Sequence, residues 1–149
     1  MSFLSDIAVY SADRQLQLVV EIKGMPSSDE QWAAQFRRNL LTHYAVPPAP
    51  FFLLVLPDQL YLWTAKHGET SALPDYHAKT WSALKRYLPH AQQGAISKRG
   101  LELAVQSWLS DLTNSDDATK ANGAEPRWLA DSGLSEAIRT GSMQVEAMV

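Results

Sequence analysis

The chain has 149 residues, 46% apolar and 19% charged, enough for one domain with a single core and unlike a wholly disordered protein. It contains no cysteine, which excludes a disulfide scaffold and every thiolate metal site. Its net charge of −3 carries no overall basic bias, so any affinity for nucleic acid has to come from clustered lysines and arginines.

Residues Leu4–Tyr10 alternate as a short strand, with Asp6, Ala8 and Tyr10 on one face and Ile7 and Val9 on the other. Asp6 also interrupts the first hydrophobic run, so no secretory leader pattern opens the sequence. Ser11, Ala12, Asp13 and Arg14 form a polar turn. Residues 16–23 read as a second strand, β-branched toward its end, so the two make an antiparallel hairpin that Gly24 and Pro26 terminate.

A helix is predicted over 29–44, opened by a capping box of Ser27 and Glu30. Its apolar stripe is Trp32, Ala33, Phe36, Leu40, Leu41 and Tyr44, and its polar face carries Gln35, Arg38 and Thr42. Pro47, Pro48 and Pro50 stop it. The continuous apolar run 51–56 marks a strand buried on both faces, and Gln59–Thr64 returns after a Pro57-Asp58 turn as a second hairpin. The longest apolar stretch, 47–57, is too short to cross a bilayer, and a soluble cytoplasmic protein without a membrane partner is expected.

The second half reads as helical. Residues 76–88 place Trp81, Leu84 and Leu88 on one face, and 97–112 do the same with Leu101, Val105, Trp108, Leu109 and Leu112. Residues 114–124 are poor in bulky apolar side chains and read as a loop. A last helix is predicted from Pro126 through Trp128, Leu129, Leu134 and Ile138 to Gly141, and 143–149 as a closing strand with Met143, Val145 and Ala147 on one face. The expected class is α/β (α+β): one domain, 1–149, with a hairpin–helix–hairpin core over 1–64 and a mainly helical remainder over 65–149.

Glu21 and Lys23 lie two apart on a strand flanked by apolar residues, so both leave the same face. A charge there is costly without a partner, and a bound cation is one form of compensation. The short turn brings Asp6 toward Glu21 across the hairpin. Two carboxylates, a backbone carbonyl and waters suit a hard cation such as Mg²⁺ or Mn²⁺, and the Ile22 carbonyl is the natural backbone ligand. Such a cation polarises a phosphoryl oxygen and acidifies a bound water, while a lysine beside it orients that water or stabilises developing charge.

The run Ser5-Asp6-Ile7-Ala8-Val9-Tyr10, a turn, then Leu18-Val19-Val20-Glu21-Ile22-Lys23, resembles the Asp…Glu-x-Lys signature of PD-(D/E)XK nucleases. It is similar above all to the N-terminal nuclease region of type I restriction enzyme subunits, over roughly the first half of the chain. The resemblance implies a restriction-endonuclease-like fold, a central mixed sheet of two hairpins with a crossover helix. It implies metal ligation by Asp6 and Glu21, with Lys23 catalytic and Gln35 assisting from the following helix. Relatives usually begin with a further helix that brings another acid. No such helix precedes the strand at Leu4, so it is missing or another segment takes its role.

The other chemistry-bearing residues have plainer explanations. His43, His67, His77 and His90 lack metal-ligand spacing and read as surface residues. Trp32, Trp81, Trp108 and Trp128 fall on apolar helical faces. Tyr61 and Trp63 share a strand face that suits packing under a helix better than stacking on a base. Lys98 and Arg99, at a helix start, are either solvated or phosphate contacts. The expected function is Mg²⁺-dependent hydrolysis of DNA. The alternative is a nuclease-fold binding or assembly module without turnover, as a homodimer through the apolar ends Leu4 and 145–149 or within a larger restriction- or repair-type complex.

Overall fold

In the computed structural model, which describes residues 4–26, 29–43, 49–64, 73–88, 96–114 and 127–148, strand β1 (Leu4–Tyr10) pairs antiparallel with β2 (Leu16–Ile22). The turn between them closes through Arg14 N–H donating to Ser11 O at 2.9 Å and Ser11 N–H donating to Gln15 O at 2.8 Å. Arg14 takes a positive φ of 66°, and a bulge follows Val9. Helix α1 (Glu30–His43) then carries the chain back, so that β3 (Phe51–Val55) runs parallel to β2, with Val20 opposite Leu53 and Ile22 opposite Val55. The Asp29 side chain caps α1 by accepting from Trp32 N–H at 2.7 Å. Ser27 of the expected capping box and Tyr44 lie outside the described residues.

Strand β4 (Gln59–Thr64) completes the second hairpin, and with β5 (Tyr76–Lys79) and β6 (Ser142–Met148) the sheet order is β5-β4-β3-β2-β1-β6. The chain is therefore a mixed α/β protein whose six-stranded sheet is antiparallel except at β2–β3. Period-2 alternation divides its residues between two layers. Val19, Phe52, Leu54, Tyr61 and Trp63 pack under α1 with Ala33, Ala34 and the partly buried Trp32 and Phe36. Ile7, Val9, Leu18, Val20, Ile22, Leu53, Val55, Leu60 and Leu62 face the helices of the second half. Each fully buried aliphatic side chain contributes about 1.5–3 kcal/mol.

Two expectations for the second half are corrected. Residues 76–88 are not one helix: Tyr76–Lys79 form strand β5 on the edge of β4, and the helix α2 is only Thr80–Leu84, followed by a 3-10 turn, Lys85–Tyr87. The helical spacing of Trp81, Leu84 and Leu88 runs into a segment where Tyr76 and Ala78 pack inward while His77 and Lys79 are exposed, a period of two. Thr80 fixes the changeover, its N–H donating to Asp58 O at 3.1 Å and its hydroxyl to Leu56 O at 2.6 Å.

The last helix is likewise two, α4 (Arg127–Asp131) and α5 (Leu134–Ile138), separated at Gly133 with φ +86°. On one continuous helix, nine residues make about two and a half turns, so Leu129 and Ile138 would face opposite ways. The break lets Leu129, Leu134 and Ile138 all enter one core. Helix α3 (Lys98–Thr113) lies where it is expected, capped by Ser97, and buries Trp108 edge-on to Trp128 with centroids 6.0 Å apart. Strand β6 (Ser142–Met148) pairs with β1, as a closing strand should. The segments 115–126, holding most of the expected loop and Pro126, and 65–72 lie outside the described residues.

Strand β6 starts from a tight approach. A Cβ on Gly141 would stand 1.9 Å from the Tyr10 carbonyl oxygen and 2.9 Å from that of Ile138. Neither obstacle is a flexible side chain, so the backbone itself has to shift. Gly141→Ala is expected to destabilise the fold by roughly 3 kcal/mol, the upper range for overpacking, read as a lowered urea midpoint.

Candidate functional site

The carboxyl end of β2 carries the only buried acidic or basic residue among the described residues. Glu21 is 5% exposed, on the same face as Val19, in the layer that α1 covers. The β1–β2 register pairs Ile7 with Val20, and its continuation sets Asp6 opposite Glu21. Asp6 spans the strands with its side chain: Oδ2 accepts from the Ile22 N–H at 2.7 Å. A one-residue slip would have turned Asp6 to the other face, so this register is what makes the pair.

Lys23 is held at both ends. Its main-chain N–H donates to Val55 O at 3.1 Å, which ties it to β3. Its Nζ lies 6.0 Å from the centre of the Phe36 ring on α1, a cation–π approach. Asp6, Glu21 and Lys23 thus gather on the expected face, at the end of the parallel pair.

The electrostatics follow from burial. The Glu21 carboxyl is pushed up to about 8, first by burial and then by the negative charge and hydrogen bond of Asp6, against the opposing pull of Lys23 and Lys98. Glu21 Oε1 is buried with no hydrogen-bond partner among the described residues. An orphaned carboxylate oxygen in that position is an acceptor awaiting a proton or a cation.

Gln35 does not join this group. It is exposed, donates from Nε2 to Asn39 Oδ1 at 3.1 Å, and lines a shallow pocket with Gln31, Ala34, Arg38 and Leu73. The neighbouring position on α1, Phe36, reaches Lys23 instead. Ile22 buries its side chain in the opposite core, while its N–H serves Asp6.

Lys98 is the residue whose place the sequence could not reveal. It opens α3, on the other side of the sheet, yet its Cβ is 3.2 Å from where a Cβ on Gly24 would lie, and its charge acts on Glu21. The signal was the Lys98-Arg99 pair behind the Ser97 cap, but only the packing of α3 shows where that pair arrives. Tyr61 and Trp63, 3% and 2% exposed, are core residues, with the Arg37 guanidinium 5.2 Å from the Trp63 ring centre. His77 pairs with Glu30 at 3.1 Å. The other three histidines lie in or beside segments outside the described residues.

Whether this donor set fits a divalent cation turns on its chemistry. Among the described residues no three His, Cys, Asp or Glu side chains cluster as a metal cage. Mg²⁺ does not require one, since it keeps several waters and binds through one or two carboxylates. Asp6 with the orphaned Glu21 oxygen meets that smaller requirement. No helix among the described residues is long and apolar enough to cross a membrane. Comparison of the chain with protein-family models, with curated proteins and with solved structures gives no match.

The Glu21 carboxyl predicts a pH-dependent stability. Its value in the unfolded chain is near 4.5 and in the folded chain about 8. The folded state therefore holds the proton more tightly, and this favours folding fully below 4.5 and progressively less as pH rises to about 8. Glu21→Gln is expected to remove the decline without added metal. The variant should gain on the parent by on the order of 4 kcal/mol between these limits, measured as the difference between their urea unfolding curves at each pH. Parallel curves would show that Glu21 titrates normally.

Proposed function

We propose that the chain is a divalent-cation-dependent nuclease of the PD-(D/E)XK type, hydrolysing phosphodiester bonds of DNA. The observation that carries this reading is the buried Glu21 carboxyl, with an unpartnered oxygen, beside Asp6 and Lys23. Nothing in the core packing calls for an acid at that point, and the orphaned oxygen makes it a cost that a ligand would offset. The restriction-endonuclease-like arrangement is part of the proposal. Two hairpins joined by α1, with β2 parallel to β3 and the Glu-x-Lys run at the end of β2, support it.

Asp6 and Glu21 would hold Mg²⁺ or Mn²⁺, with the Ile22 carbonyl as the backbone ligand. When bound, the cation supplies Lewis-acid polarisation of the phosphate and a more acidic water. Asp6 orients the end of β2 through the Ile22 N–H, so the two carboxylates are fixed relative to each other before substrate arrives. Lys23, its ammonium against Phe36, is placed to orient the attacking water and to stabilise charge that builds on the phosphate oxygens. Gln35 has no role in this scheme, because its amide is engaged with Asn39 on the solvent side of α1.

One observation favours a second reading, a binding or assembly module without turnover. A carboxyl with its titration near 8 is largely protonated at neutral pH, which weakens a cation site. Cation affinity measured against pH addresses this. In the nuclease reading, Mn²⁺ binding by calorimetry strengthens as pH rises toward about 8 and is abolished in Glu21→Gln, with protons released on binding. Absence of Mn²⁺ binding even at the alkaline end of the range would leave the module reading standing.

Cleavage of plasmid and branched DNA with Mg²⁺ or Mn²⁺ tests the activity directly. Lys23→Ala should lower the rate by roughly 10²-fold or more without lowering the melting temperature. Retention of parental activity in that variant would remove Lys23 from the mechanism and the proposed nuclease with it.

A further inference from the structure

We infer that Lys98 is the second lysine of this site and a direct contact for the substrate's phosphate, delivered from the opposite face of the sheet by the first turn of α3. This rests on the nuclease reading and deepens it. Three observations converge. Lys98 packs across Gly24, one residue beyond Lys23, so closely that a Cβ on Gly24 would meet its Cβ at 3.2 Å. Ser97 fixes the start of α3 through its hydroxyl, which accepts from Gly100 N–H at 3.0 Å, and this sets the origin of the Lys98 side chain. The Glu21 carboxyl, buried and with an unpartnered oxygen, lies within the electrostatic reach of Lys98.

The placement also runs against helix economy. The first turn of α3 has no acidic residue and begins Lys98-Arg99, although the positive end of a helix disfavours cations. Helix stability therefore gives no reason for a lysine there, whereas an anion arriving beside Glu21 does. Lys98 is exposed, so its ammonium remains available to a ligand from solvent. Lys23, against Phe36 of α1, and Lys98, at the start of α3, both act electrostatically on Glu21, so a phosphate meeting a cation held by Asp6 and Glu21 would come under the influence of both.

The test is binding of a short fluorescein-labelled DNA duplex, followed by anisotropy across a salt series in Ca²⁺, together with steady-state cleavage in Mg²⁺. Lys98→Ala should weaken binding roughly tenfold at low salt and reduce the slope of log K against log salt by about one. KM should rise more than kcat falls, and Lys98→Arg should restore the slope. If Lys98 served only as a structural counter-charge to Glu21, the variant would keep the parental salt slope and KM. That result, with the parent still binding and cleaving, overturns the assignment of Lys98 and leaves the nuclease reading intact. A parent chain that neither binds nor cuts the duplex overturns both. Should Lys98→Ala fail to fold, Lys98→Met, which keeps the aliphatic stem over Gly24, decides by the same slope.

Discussion

The site depends on a carboxylate that takes the place of a backbone acceptor at the end of a strand ladder. Asp6 accepts the Ile22 N–H with its side chain, at the end of β2, beyond the last β1–β2 pair Ile7–Val20 and where pairing with β3 continues. The register of the hairpin sets Asp6 against Glu21, and this bond ties the Asp6 side chain to the last residue of β2. The electrostatics of the site follow first from the burial of Glu21 and then from Asp6 beside it. Two carboxyls held together in a layer closed by α1 cannot both carry charge comfortably, and the more buried of them, Glu21, keeps its proton to about 8. Core packing alone would be better served by an apolar pair at these positions.

The first half of the chain was legible because its signals are local. The turn at 11–14, the alternation on β1 and the unbroken run at 51–56 each determine an element without help from distant residues. Asp6 and Glu21 could be placed together because a short turn limits the register to one or two choices, and the apolar face selects among them. The second half was less legible for a matching reason. Whether 76–79 extends as a strand is decided by the free edge of β4, some way back in the chain, and the local helical spacing of Trp81, Leu84 and Leu88 competes with it. Gly133 hid a second boundary: a lone glycine inside an apolar pattern reads as a tolerated flaw until the burial of both Leu129 and Ile138 requires a break.

The same contrast separates the site residues. Glu21, Lys23 and Asp6 share a hairpin, so sequence spacing carries their geometry. Gln35 and Phe36 are adjacent on α1, and about 100° of helical rotation decides which of them meets Lys23. The resemblance to nucleases pointed to the polar one, whereas Phe36 belongs to the buried stripe that closes over β2. Lys98 lies far along the chain from Glu21, and no spacing rule connects them. Their proximity is produced by α3 crossing the face of the sheet that Glu21 does not occupy, with its first residue meeting Gly24 at the sheet's end.

That crossing explains why a glycine follows the Glu-x-Lys run. Strand β2 ends at Ile22, Lys23 is tied to β3 by its N–H, and the next residue has to pass beneath the start of α3. A Cβ at position 24 would stand 3.2 Å from the Lys98 Cβ, so the lysine stem would have to give by a few tenths of an ångström. The small residue therefore does more than end a strand: it lets elements on both faces of the sheet converge on one edge. In open α/β sheets ligands gather outside the carboxyl ends of parallel strands, because there the sheet stops and the covering helices leave a gap. Here β2 and β3 are the only parallel neighbours among the described strands, and the carboxylates and both lysines lie around the end of β2. The position of the site is thus a consequence of topology, and the residues that occupy it are the ones for which packing alone gives no reason.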